Sequence, residues 1–223
     1  MDPDAFSLLK DTCRQACHDR HACAEGYRQM LASENVSQMM ATWRANWEDI
    51  VRSRYADIIA ALLPSQYPSL RSEMNRAGIF FNECPPMAKR FVRVLIASPL
   101  DVIHVYGAAE AYVLGPACVV AHDHSQVYNP AVADASITLL DYAYGNVAAG
   151  RVVAQGRSRL VSSAQATLQG HASCQATGGS VVALGYMRVD ASGDARVFAR
   201  NGQSIYLEGG ATLQPLITNF HNE

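Results

Sequence analysis

From residue 95 onward apolar and polar positions alternate, and the alternation carries a beat of eight. In "ARVFARNGQSIYLEGGATLQ", residues 195–214, a small residue, a branched residue and a second small residue fill every other position, a bend-former follows, and the phrase restarts. Side chains two apart on a strand share a face, so Ala195, Val197 and Ala199 point one way while Arg196 and Phe198 point the other. The branched column reads Leu95, Ile103, Ala111, Val119 and Val127, then Ile137, then Val152, Leu160 and Leu168, and finally Val181, Val189, Val197, Ile205 and Leu213. Two residues on stand Ala97, Val105, Val113, Ala121 and Asn129, and later Ala183, Ala191, Ala199, Leu207 and Pro215. The register slips at "NPAVADASITLLDYAYGN" and again at "HASCQATGG". A turn column of Gly156, Ala164, Ala172, Gly185, Gly193, Asn201 and Gly209 supplies the bends. Each octad is then one short strand and one corner, and two octads make one flattened coil. Stacked at about 4.8 Å, the coils number about seven.

Residues 1–85 carry a different period. Trp47, Ile50, Val51, Tyr55, Ile58, Ile59, Leu62 and Leu63 recur at three and four and stop at Pro64, which predicts a core-facing helix. Asn35 three residues before Gln38 predicts a capping box for a helix through Met39, Met40 and Trp43. Pro68 suits the first turn of a further helix that Gly78 ends, and Phe6, Leu8 and Leu9 begin an earlier one. The paired prolines of "NECPPMAKRF" break the rhythm. The expected fold class is α+β: a helical N-terminal domain, residues 1–85, followed by a single-stranded two-sheet β-solenoid over residues 86–223. The helices would cap one end of the rod. "LQPLITNFHNE", with Leu216, Ile217 and Phe220, would cap the other.

Composition narrows the function classes. The chain has 223 residues and 49% hydrophobic content, and 18 basic residues against 20 acidic leave a net charge of −2, so no basic field attracts nucleic acid or an anionic membrane. "MDPDAFSLLKDTC" lacks the basic and apolar regions of a secretory signal, and no apolar run reaches membrane-spanning length. A cytoplasmic location is expected, with Cys13, Cys17, Cys23, Cys84, Cys118 and Cys174 reduced.

The octads of "GDARVFARNGQSIYLEGGATLQ" resemble those of bacterial proteins of unassigned activity in which A-x-V-x-A-x-G/D phrases build a β-solenoid behind a small helical domain. The resemblance covers residues 90–215 and implies architecture without chemistry. The repeats also look like those of ice-nucleation proteins. They differ in that Thr138, Thr167, Thr177 and Thr212 are expected to form no outward ladder.

Three groups have the residue types of a site. Cys13, Cys17 and His21, spaced by four with His18 and Cys23 nearby, would share a helical stripe able to hold zinc, although packed apolar thiols are the simpler account. His122 and His124, flanking Asp123, are expected on one strand face with His104 one coil earlier, a pattern for metal binding or acid–base work against the alternative of solvated imidazoles. Tyr112, Tyr128, Phe198 and Tyr206 fall between the inward residues, together with Val120, Val153, Val161 and Val182, and would offer stacking platforms for a carbohydrate or small ligand. Arg151, Arg159, Arg188 and Arg196 all precede a branched position, where acidic neighbours make a charge-mixed face the plainer reading than an anion strip. An apolar sheet face this long calls for a cover, from the helices, a protein partner or a second copy. The expected function is a non-enzymatic scaffold for protein contact, including self-association. A Tyr-based binding module and a metal enzyme at His122, Asp123 and His124 are the alternatives.

Overall fold

The computed structural model describes residues 3–19, 24–47, 71–86, 91–97, 99, 101–185, 187–199 and 203–216. Among these, helices α1 (Pro3–Asp19), α2 (Ala24–Ala32), α3 (Val36–Ala45) and α4 (Arg71–Arg76) precede the sheets. Asn35 caps α3: its side chain accepts from the Gln38 N–H at 3.0 Å, and the Gln38 side chain accepts from the Glu34 N–H at 2.7 Å. Gly78, at φ 81°, turns the chain out of α4 into strand β1 (Ile79–Phe81). Of the helix predicted from Trp47 to Leu63 only Trp47 is described. Pro68, His21, Cys23 and residues 217–223 also lie outside the described residues.

Beyond β1 the chain alternates between two parallel sheets. Sheet A holds β1, β2 (Arg93–Ile96), β4 (Glu110–Val113), β6 (Gln126–Asn129), β8 (Tyr144–Val147), β10 (Arg159–Ser162), β12 (Ser173–Ala176), β14 (Arg188–Ala191) and β16 (Ser204–Leu207). Sheet B holds β3 (Ile103–Val105), β5 (Cys118–Ala121), β7 (Ser136–Leu139), β9 (Arg151–Ala154), β11 (Gln165–Leu168), β13 (Ser180–Ala183), β15 (Arg196–Ala199) and β17 (Thr212–Pro215). Odd and even strands separate, so each coil contributes one strand to each sheet: a single-stranded β-solenoid of about eight turns.

The inward columns are those of the octad template. Val127, Leu160, Cys174 and Val189 stack through sheet A, and Val119, Ile137, Val152, Val181 and Val197 through sheet B, all buried. Small residues before the strands, such as Ala109, Ala143 and Ala195, keep the sheets close enough for one branched side chain between them.

Two positions of the register depart from the octad count. Val94 pairs with Ala111 and Leu95 with Tyr112, so Val94 and Ile96 point inward while Leu95 points outward and Ala97 has left the strand. The corner at residues 97–102 is longer than the template allows, and a one-residue slip exchanges the faces of a strand. Further on, only residues 163–164 separate β10 from β11. Ala166, not Leu168, therefore pairs with Val152, and Leu168 joins Ala154 and Ala183 in the second inward column. Ala164 and Ala172 are buried leading residues of their strands, not bends. Gly170, at φ 68°, takes the corner.

A second core lies on the outer face of sheet A. Leu9, Cys13, Met39, Met40, Trp43 and Met74 of the helices close over Ile79, Phe81, Leu95 and Tyr112, so the helical layer covers the first strands of that sheet. No helix among the described residues is long and apolar enough to cross a membrane.

Candidate functional site

The residues with chemical potential gather at one corner. Every return from sheet B to sheet A spans four residues, as at 106–109, 122–125 and 140–143, so equivalent corner positions stack from coil to coil. Gly107, Asp123, Asp141, Gly156 and Gly170 form one such stack. All have positive φ, and Asp123 (56°) and Asp141 (53°) hold the left-handed region that Asp tolerates better than most residues. Each aspartate reaches back one coil: Asp123 Oδ2 accepts from the Gly107 N–H at 3.1 Å, and Asp141 Oδ2 from the Asp123 N–H at 3.3 Å. The carboxylates are thus used as structural acceptors.

On either side of this spine run ring ladders. His104 on β3 meets His122 with Nδ1 and Nε2 3.0 Å apart and ring centroids at 5.3 Å, and Tyr106 stacks on His122 at 4.8 Å. On the other side His124 stacks on Tyr142 at 5.3 Å, and the Arg157 guanidinium donates to the Tyr142 hydroxyl at 3.2 Å. His122 and His124 therefore do not share a strand face. They sit two apart across a left-handed corner, and each stacks with a different tyrosine. The expected three-membered site is not assembled. Nor does the His104–His122 pair chelate. The two nitrogens meet nearly on the line joining the ring centres, a geometry for one N–H···N bond. A metal bound by both would need about 2.0–2.1 Å on each side and converging lone pairs. No group of three or more His, Cys, Asp or Glu able to hold a metal occurs among the described residues.

Cys13 and Cys17 are buried in the helical core with Leu9, Met39 and Met40, and His21 lies outside the described residues. Cys174 lines the solenoid interior, where burial first and the Asp190 charge second push its thiol up to about 12.

The four aromatic platforms separate. Tyr112 is 9% exposed, edge-on to Trp47 at 5.5 Å, and burial, followed by the Glu110 charge, pushes its hydroxyl up to about 12. It is a contact of the helical layer and not a binding platform. Tyr128 stacks on Tyr112 at 4.9 Å, half-buried, with its hydroxyl donating to Gln126 at 2.7 Å; burial, then Glu110, raises its pKa. Tyr206 is exposed at the far end of sheet A under the Arg188 guanidinium, and Phe198 stands on sheet B. The arginines divide similarly. Arg159 and Arg188 are on sheet A, with Arg188 paired to Asp190 at 3.0 Å, while Arg151 and Arg196 are on sheet B, so no single strip forms.

Sheet B has the surface that residue-by-residue reasoning only partly located. Val120, Thr138, Val153, Thr167, Val182 and Phe198 succeed one another in one outward column, half-buried against each other. Thr138 and Thr167 share this column with Val153 between them, Thr177 lies in a corner and Thr212 in another column, so the four form no threonine ladder. The strands of sheet B hold no acidic residue, and Arg151 and Arg196 are their only charged ones.

Beside this face is a depression of about 380 Å³ lined by Ala133, Ala149, Gly150, Arg151, Ser163 and Gln165 among others. It arises because the loop 130–135 projects while the next corners, 148–150 and 163–164, are short. Buried Asn129 builds the projection: its amide donates to the Val132 and Ala149 carbonyls at 3.0 and 2.7 Å and accepts from the Val132 N–H at 2.9 Å. No protein-family model matches the chain, and no curated protein or solved structure matches it either.

Proposed function

We propose that this chain is a non-enzymatic scaffold whose sheet B face docks a protein partner. One observation carries the reading: an outward column of Val, Thr and Phe that no helix among the described residues covers, flanked by arginines with no acidic residue on the strands, next to a sheet whose equivalent face begins under helices. Apolar strips of this extent favour association, and their partner should bring an apolar ridge with acidic flanks. The rigidity of paired strands suits presentation more than catalysis. A cytoplasmic location fits the free thiols of Cys84, Cys118 and Cys174.

The test is a photoreactive side chain placed at Thr167, on sheet B, or at Gln175, on the exposed part of sheet A, in the full chain within the cells that make it. A discrete adduct from position 167 is expected, removed by Val153→Glu with Val182→Glu, and none from position 175. Equal adducts from both positions, or none from position 167, would overturn the assignment.

A further inference from the structure

The two ends of the solenoid are not alike. At the N-terminal end the inward residues Val94, Ile96 and Val105 are fully buried and Ile103 is 6% exposed, with Phe80 and Cys84 packed on them. At the C-terminal end Leu207 is 40% and Leu213 50% exposed, although both occupy inward columns. Among the described residues the last coil also ends in two unpaired edges. Glu208 and Thr212 donate backward to Ala191 and Ala195 at 2.9 and 3.0 Å, so by alternation Ile205, Leu207 and Leu213 direct N–H and C=O away from the rod. Residues 216–223 do not read as another coil, because the constant four-residue return would set Asn219, His221 and Glu223 in inward columns.

We propose that this end binds a second copy of the chain, with β16 of each copy pairing antiparallel to β17 of the other. The geometry selects that arrangement. A single-stranded coil climbs one strand spacing per turn, so its two end strands are staggered by about 2.4 Å. A two-fold axis perpendicular to the strands pairs like with like and leaves one sheet closed and the other gaping. A two-fold axis parallel to the strands exchanges the sheets, cancels the stagger and closes both at once. The pleat then admits only registers that set inward residues opposite inward ones, so Leu213 exchanges two hydrogen bonds with Ile205 or with Leu207 of the second copy. β16 and β17 carry no charged side chain to repel an identical partner, and Pro215, without an N–H, limits the pairing to the part of β17 before it. A two-fold pairing uses the same end of both copies, which makes the product a closed dimer and not a filament. The end face, strands of about 13 Å with their corners across sheets about 10 Å apart, buries on the order of 1,000 Å² in the pair. That is the lower bound of specific interfaces, so the dimer is expected to be a reversible one.

This deepens the scaffold reading without using the outward face of sheet B. Sedimentation equilibrium of the full chain between about 1 and 100 µM should show a monomer–dimer equilibrium. Leu213→Lys and Leu207→Lys, at half-exposed positions that leave the melting temperature in place, should each weaken it at least tenfold, while Phe220→Asp should not. In a Cys118→Ser background, Tyr206→Cys with Thr212→Cys, or Tyr206→Cys with Gln214→Cys, should give a disulfide dimer on oxidation that neither single variant gives, because the two positions lie on opposite sheets of one chain. A monomer throughout, a dimer indifferent to Leu213→Lys, or one abolished by Phe220→Asp would overturn the proposal. Adducts from position 167 should survive Leu213→Lys, so the two proposals fail separately.

Discussion

Gly145 shows how the interior is balanced residue by residue. It occupies the branched column of β8, between Val127 and Leu160, where every neighbouring coil has a larger side chain. A Cβ there would lie 2.6 Å from Leu139 Cδ1 and 3.4 Å from Leu160 Cδ1, so the leucine in the small column of β7 takes the volume that the glycine gives up. Gly145→Val should therefore destabilise by about 1–3 kcal/mol through overpacking. Adding Leu139→Ala should restore much of the loss, a coupling that denaturant titration of the four variants measures. The exchange explains why the repeat is least legible between residues 129 and 146. Branched and small columns trade sizes across coils, which a position-by-position template cannot register. Tyr112 was unreadable for a similar reason. Its outward placement follows from the alternation, but its burial depends on Trp47, 65 positions away in the chain.

The strands were legible because a period of two and a bend every eighth residue are local properties. The corners were less so. Returns from sheet B to sheet A keep four residues each, while crossings in the other direction vary from 130–135 to 163–164, and every misplacement of the register traces to one of these variable crossings. The constant corner also decided the fate of the candidate site: it turns Asp123 and Asp141 into acceptors for the backbone of the previous coil and parts His122 from His124. Glycine serves at the equivalent places in Gly107, Gly156 and Gly170, which allows strain and hydrogen bonding to be separated. Asp141→Ala loses the bond to the Asp123 N–H and must hold φ 53° with an ordinary side chain, so it should cost about 1–2 kcal/mol. Asp141→Gly loses the same bond but relieves the backbone, and should cost clearly less. Equal losses in thermal melts would assign the whole effect to the hydrogen bond.

At the scale of the molecule each coil leans on its neighbours, and among the described residues the helical layer packs on the N-terminal strands, so opening should begin at the exposed last coil and move inward. Cys174 on β12 reports that movement, because its thiol is buried well inside the open end, whereas Cys118 is exposed on β5. Under native conditions a disulfide reagent should modify Cys118 at once and Cys174 only at the rate of opening, and Leu213→Lys at low protein concentration should leave that order unchanged. Alkaline pH provides the second reading. Burial pushes the Cys174 thiol of the folded protein up to about 12, whereas in the unfolded chain it ionises near the ordinary 9.0. The folded state thus binds the extra proton between those values. The contribution is whole below pH 9.0 and shrinks as pH rises toward 12, by on the order of 1.4 kcal/mol per pH unit. Tyr112, raised from 10.0 to about 12, adds to the decline in the upper part of the window. Urea midpoints measured from pH 8 to 11 should therefore fall, and Cys174→Ala should make the slope between pH 9 and 10 shallower, the remainder coming from Cys84, whose thiol burial also pushes up. An unchanged slope in that variant would mean that the thiol reaches solvent in the folded state, and that the interior behind the last coils is not closed.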